Sequence, residues 1–198
     1  MIKLIIFDLS GVCFTNEEPI YIKELCEKYK YNHKEFNNFY QEMLMKAEIG
    51  KLTGEELWSI LIEEYDIPKT ITQIVDEMME LKEAKLETLN LASKLKNKCK
   101  VVYLTNYNKL YWEVIAKKFD LSKWFDSGIV SYQIGFRKPA KEGFLALIRT
   151  FKVKPEETLF IDDSKNNLIE AEKLGLKTLL FENPEKLRED IQSLGIKA

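Results

Sequence analysis

Five side chains that close or follow short apolar runs, with a sixth in a loop, suit phosphoryl chemistry. Asp8 stops the run IKLIIF, Thr105 and Asn106 follow KVVYL, Asp162 and Asp163 follow TLFI, and Lys138 lies in the loop RKP. Carboxylates at Asp8 and Asp163 can hold Mg²⁺, a hard cation that takes carboxylate and water oxygens. Such a metal cancels the repulsion between a carboxylate and a phosphate dianion, so that Asp8 can act as a nucleophile and carry an aspartyl-phosphate. The Thr105 hydroxyl and the Asn106 amide or backbone N–H suit phosphate oxygens. Lys138 would balance charge that grows in the transition state. Gly11 lets the loop after the nucleophile turn tightly. Alone, an Asp at a strand end is a turn former, Thr-Asn is a cap, and a loop lysine is solvated. Only the ordered set carries the argument.

The elements that must position this set are strands whose carboxyl ends share one edge. Lys3 to Phe7, Lys100 to Leu104, Thr158 to Ile161 and Lys177 to Phe181 are apolar almost throughout, with a weaker run at Gly128 to Ser131. Such runs suit strands covered on both faces. Helical spacing marks Asn108 to Phe119, Lys141 to Phe151, Lys165 to Leu174 and Pro184 to Leu194, with Gly175 as a stop and Pro139 suited to a first helical position. Strand and helix alternate from about residue 84. The fold class expected is α/β, a doubly wound, Rossmann-like parallel sheet, whose ligands bind beyond the strands' carboxyl ends.

Residues 15–83 hold no credible strand. Ile22, Leu25, Cys26 and Tyr29 recur at helical spacing, as do Phe36, Tyr40, Met43, Leu44 and Ala47. Thr53 and Glu56 form a capping box ahead of Leu57, Trp58, Leu61 and Tyr65, and Ile71, Ile74, Val75 and Met78 mark a fourth helix. The expected division is a core of 1–14 with 84–198 and an all-helical cap insertion at 15–83.

The segments IIFDLSGVCF, YLTNYN, GFRKP and FIDDSKNNLIEA resemble the four ordered motifs of the haloacid dehalogenase superfamily, with a type-1 helical cap inserted after the first strand. The resemblance spans nearly the whole chain and includes the cap-like stretch EIGKLTGEELW. It implies Asp8 as nucleophile, Thr105 as the second-motif hydroxyl, Lys138 as the third-motif lysine, and Asp163 as a metal ligand with Asp162 beside it. It also implies the Ser10 backbone carbonyl as a further Mg²⁺ ligand, and a small phosphorylated metabolite as substrate. Asn167 falls where relatives carry a second acidic residue or Asn.

Ser10 departs from the phosphatase pattern, which has Asp two positions after the nucleophile to protonate the leaving group and then activate water. A hydroxyl is too weak an acid for that, and losing such help typically costs about 10²–10⁴ in rate. The expectation is a Mg²⁺-dependent phosphatase biased toward good leaving groups. Two alternatives stand: a weak or inactive member that binds a phosphorylated ligand or partner, and a haloacid dehalogenase. Asp162-Asp163 favours a metal over the latter. A receiver domain is rejected because its acidic pair follows the first strand. Glu17, Glu18, Tyr40 and Trp58 can each face the site or the cap core, and Glu17 or Glu18 can supply the missing acid.

The totals set outer bounds. At 198 residues with 45% hydrophobic and 31% charged content, the chain fits one core with a modest insertion. A net charge of −2 argues against a nucleic-acid or anionic-membrane partner. No apolar run approaches the roughly 20 residues of a membrane span, nor does the N-terminus read as a secretory leader, so a cytoplasmic location is expected. Cys13, Cys26 and Cys99 form no C-x-x-C pair, His33 is the lone histidine, and no glycine-rich nucleotide loop occurs.

Overall fold

A computed structural model describes residues 1–196. Five strands, β1 (Leu4–Phe7), β2 (Lys100–Thr105), β3 (Ser127–Val130), β4 (Thr158–Asp162) and β5 (Lys177–Leu180), form one sheet in the order β3-β2-β1-β4-β5. Every pairing is parallel. In β1 all four residues are fully buried, and alternation sends them to opposite faces. Ile5 and Phe7 enter one apolar layer, and Leu4 and Ile6 enter the other. A sheet buried on both faces needs continuous apolar strands, which is why the runs lack a polar alternation.

Helices α5 (Leu86–Leu95), α6 (Lys109–Lys118) and α10 (Pro184–Ser193) cover the Ile5 and Phe7 face. The opposite face is covered by α8 (Lys141–Phe151) and α9 (Lys165–Lys173), through Phe144, Leu147, Leu168 and Ala171. The chain runs outward from β1 to β2 and β3, then returns to the other side of β1 for β4 and β5. That reversal opens a crevice at the carboxyl ends of β1 and its neighbours.

Between β1 and α5 lie four helices: α1 (Glu18–Tyr29), α2 (His33–Glu48), α3 (Gly54–Tyr65) and α4 (Ile71–Glu80). Asn32 caps α2, and capping boxes open α3 at Thr53 and α4 at Thr70. Their shared interior holds Tyr21, Ile22, Phe36, Tyr40, Trp58 and Ile74. Where this segment leaves and rejoins the sheet, its two ends are laced together. Phe14 bridges Ala84, the Thr15 N–H donates to the Glu83 carbonyl at 2.9 Å, and the Lys85 N–H donates to the Cys13 carbonyl at 2.8 Å.

Two local readings change. Pro139 is not the first residue of a helix: α8 starts at Lys141 behind Ala140, and the Lys138–Pro139 bond is cis. A four-residue helix, α7 (Ser131–Ile134), follows β3 and is too short to show a period. No helix among the described residues is long and apolar enough to cross a membrane.

Candidate active site

Asp8, one residue past β1, is buried at 6% exposure, as is Lys138 at 4%. The Lys138 Nζ lies 2.7 Å from Asp8 Oδ1 and 2.7 Å from Asp162 Oδ2. Oδ1 also accepts the Leu9 N–H at 2.7 Å, which leaves Asp8 Oδ2 without a protein donor among the described residues. Asp162, the last residue of β4, is saturated. Its oxygens accept the Ser164 N–H at 2.8 Å and the Asn167 amide at 3.0 and 3.1 Å as well as Lys138.

Asp163 faces the loop after β1 from the other side. Gly11 has φ +84°, and a Cβ there would come within 2.0 Å of Asp163 Oδ2. No side chain fits between this carboxylate and the nucleophile loop, and only glycine adopts this conformation without strain. Carboxylate oxygens of Asp8, Asp162 and Asp163 all lie within 4.8 Å of one another.

These charges are mismatched as they stand. Three carboxylates, the buried Asp8 and Asp162 and the exposed Asp163, face the Lys138 ammonium, leaving two negative charges unmatched by it. Burial pushes the Asp8 carboxyl up to about 7, with Asp162 and Asp163 adding to the shift and Lys138 opposing it. Asp163 is raised too, by burial and by Asp162. Burial disfavours the Lys138 ammonium, yet Asp8 and Asp162 outweigh it and hold the group above the usual lysine range. An all-oxygen donor set two charges short of neutrality fits a hard divalent cation.

Thr105, the last residue of β2, is fully buried, and its hydroxyl is one of the few buried polar groups with no hydrogen-bond partner. Leaving such a group unpaired costs about 1–3 kcal/mol. It lines a cavity of about 210 Å³ that also reaches Asp8, Ser10, Asn106 and Asp163. The Asn106 amide is committed elsewhere. Its Oδ1 accepts the Lys138 N–H at 2.8 Å and its Nδ2 donates to the Lys138 carbonyl at 3.1 Å. Of the two Asn106 groups expected to meet phosphate, the side chain therefore braces the lysine loop, and the backbone N–H is the one without a protein acceptor among the described residues.

The far wall comes from the helical segment. Glu17, Glu18, Gln41 and Glu48 line the same cavity. Burial, with Glu48 nearby, pushes the Glu18 carboxyl up to about 7, while Gln41, donating to Oε1 at 2.9 Å, opposes the shift. Glu48 accepts from Arg137 at 2.6 Å, tying the end of α2 to the residue before Lys138. Tyr40 and Trp58 instead pack inside the helical segment, rings 5.5 Å apart.

The family model for haloacid dehalogenase-like hydrolases matches residues 2–175. The chain belongs to this family. A D-ribitol-5-phosphate phosphatase from Bacteroides thetaiotaomicron is 26% identical over 200 residues, covering 96% of the chain and 97% of the relative. The drimenol cyclase drtB of Aspergillus calidoustus is 24% identical over 202 residues, and the chain spans 37% of its length. Among solved structures, a HAD family enzyme from B. thetaiotaomicron in complex with magnesium and inorganic phosphate superimposes with a TM-score of 0.75 at 25% identity, covering 92% of the chain and 95% of the relative.

In this haloacid dehalogenase-like hydrolase the residues read from sequence, Asp8, Ser10, Thr105, Asn106, Lys138, Asp162 and Asp163, converge at one end of the sheet. Sequence reasoning missed Lys82, Tyr107, Glu48 and Arg137. Lys82 and Tyr107 carry no signal, being a charge in a charged stretch and an aromatic after a strand. Arg137 adjoins Lys138 in GFRKP, a position that singled out its neighbour alone.

Proposed function

We propose that the chain is a Mg²⁺-dependent phosphomonoesterase acting on a small polyhydroxylated phosphate ester. The observation that carries it is the Thr105 hydroxyl: buried, unpaired, and opening on the same cavity as the free oxygen of Asp8. A phosphate oxygen is the acceptor that the hydroxyl lacks.

Asp8 Oδ2 attacks phosphorus while Oδ1 stays pinned by Lys138 and the Leu9 N–H, which fixes the attacking lone pair. Thr105 and the Asn106 backbone N–H hold non-bridging oxygens, and Lys138 offsets their growing charge. Asp162 does not reach substrate; it and Asn106 hold Lys138 in place. Asp8, Asp163 and the Ser10 carbonyl would hold Mg²⁺, whose charge keeps Asp8 ionised and lets the dianion approach. Residues 15–83 act as the cap that closes over the substrate and excludes water.

The cavity's size admits a phosphate with a few carbons. Its wall of Glu17, Glu18, Gln41, Glu48 and Arg137 offers donors and acceptors for hydroxyl groups. The D-ribitol-5-phosphate phosphatase supports this choice of substrate class. A panel of pentitol, pentose and bisphosphorylated esters is assayed with Mg²⁺ against wild type and Asp8→Asn. Turnover of monophosphorylated polyols that vanishes in the variant supports the reading. Undiminished turnover by Asp8→Asn would refute it. A phosphate-binding protein without turnover is the second reading, favoured by Ser10 alone, and saturable binding of the esters without hydrolysis would mark it.

A further inference from the structure

Ser10 lacks the carboxyl that would protonate a leaving group, yet its hydroxyl ends a buried chain of hydrogen bonds. Lys82, between α4 and α5, is 1% exposed, and Glu17 is 3% exposed. The Lys82 Nζ donates to Glu17 Oε2 at 2.5 Å, to the Tyr107 hydroxyl at 2.7 Å and to the Thr15 carbonyl at 3.2 Å. The Tyr107 hydroxyl donates to Ser10 Oγ at 3.2 Å.

Donor counting fixes the direction of every link. An ammonium only donates, and its three protons meet three acceptors. The Tyr107 oxygen, accepting from Lys82, must spend its single proton on Ser10. Ser10 Oγ, accepting from Tyr107, has its own proton left, and no protein acceptor takes it among the described residues. That proton is free to point into the cavity that Ser10 lines with Asp8.

We propose that Lys82, acting through Tyr107 and Ser10, is the proton source and sink that replaces the missing acid at position 10. The inference rests on the phosphomonoesterase reading. As Asp8 Oδ2 bonds to phosphorus, the phosphorus–oxygen bond to the leaving group breaks and its electron pair stays on that oxygen. The oxygen takes the Ser10 proton, Ser10 takes that of Tyr107, and Tyr107 takes one from Lys82, leaving an amine. In hydrolysis, water bonds to phosphorus and the bond to Asp8 breaks, returning the pair to the carboxylate. The water's proton travels back through Ser10 and Tyr107 and restores the ammonium. Ser10 is the group that touches the reacting oxygen; Tyr107 and Lys82 are positioning residues behind it.

Two physical facts favour this arrangement. A buried ion pair adds little stability relative to apolar packing, so packing alone does not account for Lys82 and Glu17. Burial also draws the Lys82 ammonium down from the usual lysine range, with Glu17 opposing, which makes it a readier donor.

The test compares kcat/KM on an alkyl ester, ribitol 5-phosphate, with kcat/KM on 4-nitrophenyl phosphate, whose leaving group needs no proton. Wild type, Tyr107→Phe and Lys82→Met are assayed with Mg²⁺. In both variants the alkyl kcat/KM, which reports the step that forms the Asp8 intermediate and not its hydrolysis, is expected to fall about 10²-fold, with the aryl kcat/KM within about twofold of wild type. The aryl preference expected of Ser10 alone thus belongs to the severed chain. Tyr107→Phe keeps the ring and its packing, so it decides the matter should Lys82→Met fail to fold. Equal losses on both esters, or no loss on the alkyl ester, would overturn the relay and leave the phosphomonoesterase reading intact. Wild type inert toward both esters would overturn both.

Discussion

Thr105 shows at the scale of one residue how a site is paid for in stability. Its buried hydroxyl has no partner in the protein, so a shape-matched apolar replacement relieves about 1–3 kcal/mol of unmet desolvation. Thr105→Val is expected to raise the melting temperature of the ligand-free protein while lowering kcat/KM about 10²-fold, the usual cost of one lost oxyanion donor. Calorimetry and steady-state kinetics on the same preparation check both signs. A threonine without a part in the reaction would show the stability gain but not the kinetic loss. Asp8, Thr105 and Asp163 were legible in the sequence because each polar group ends or follows an apolar run where packing gives it no reason to be, and Lys138 because GFRKP falls in order between them. Lys82 and Tyr107 were not, because their meaning lies in a contact between positions 25 residues apart.

At the scale of elements, the loop after β1 holds the site together. Gly11 turns with φ +84° directly against Asp163, which binds the first motif to the last. Gly11→Ala is expected to force Asp163 away and to weaken Mg²⁺ binding by about tenfold or more, read by titration calorimetry, with far less effect on the apo fold's secondary structure. Unchanged Mg²⁺ affinity would separate Asp163 from the metal. The strands and most helices were readable because burial on both faces demands unbroken apolar runs, because apolar residues recur at helical spacing, and because Thr53 with Glu56 announces a helix start. Helix α5 was not singled out in the sequence. Its N-cap is Lys85, which makes no side-chain cap bond, so nothing marks where it begins.

Over the whole molecule, the helical segment and the sheet enclose acidic groups that share one space. The Glu18 carboxyl, raised from 4.5 to about 7, keeps its proton in the folded chain where the unfolded chain has lost it. The folded state then binds more protons over that interval, so stability falls as pH rises from about 4.5 to about 7. Glu18→Gln removes this part of the slope. Melting temperatures of wild type and variant across that range, in chelator, should converge at the acid end and diverge in favour of the variant toward neutrality. Parallel curves would contradict the burial of Glu18 against Glu48.

The central claim is that Asp8 accepts a phosphoryl group beside a divalent cation. Trifluoroberyllate, a mimic of the acyl-phosphate, tests it most directly by fluorine NMR. A bound resonance that needs Mg²⁺ and is absent from Asp8→Asn is the expected result. Binding that survives the loss of Asp8, or none in wild type with Mg²⁺, would contradict it.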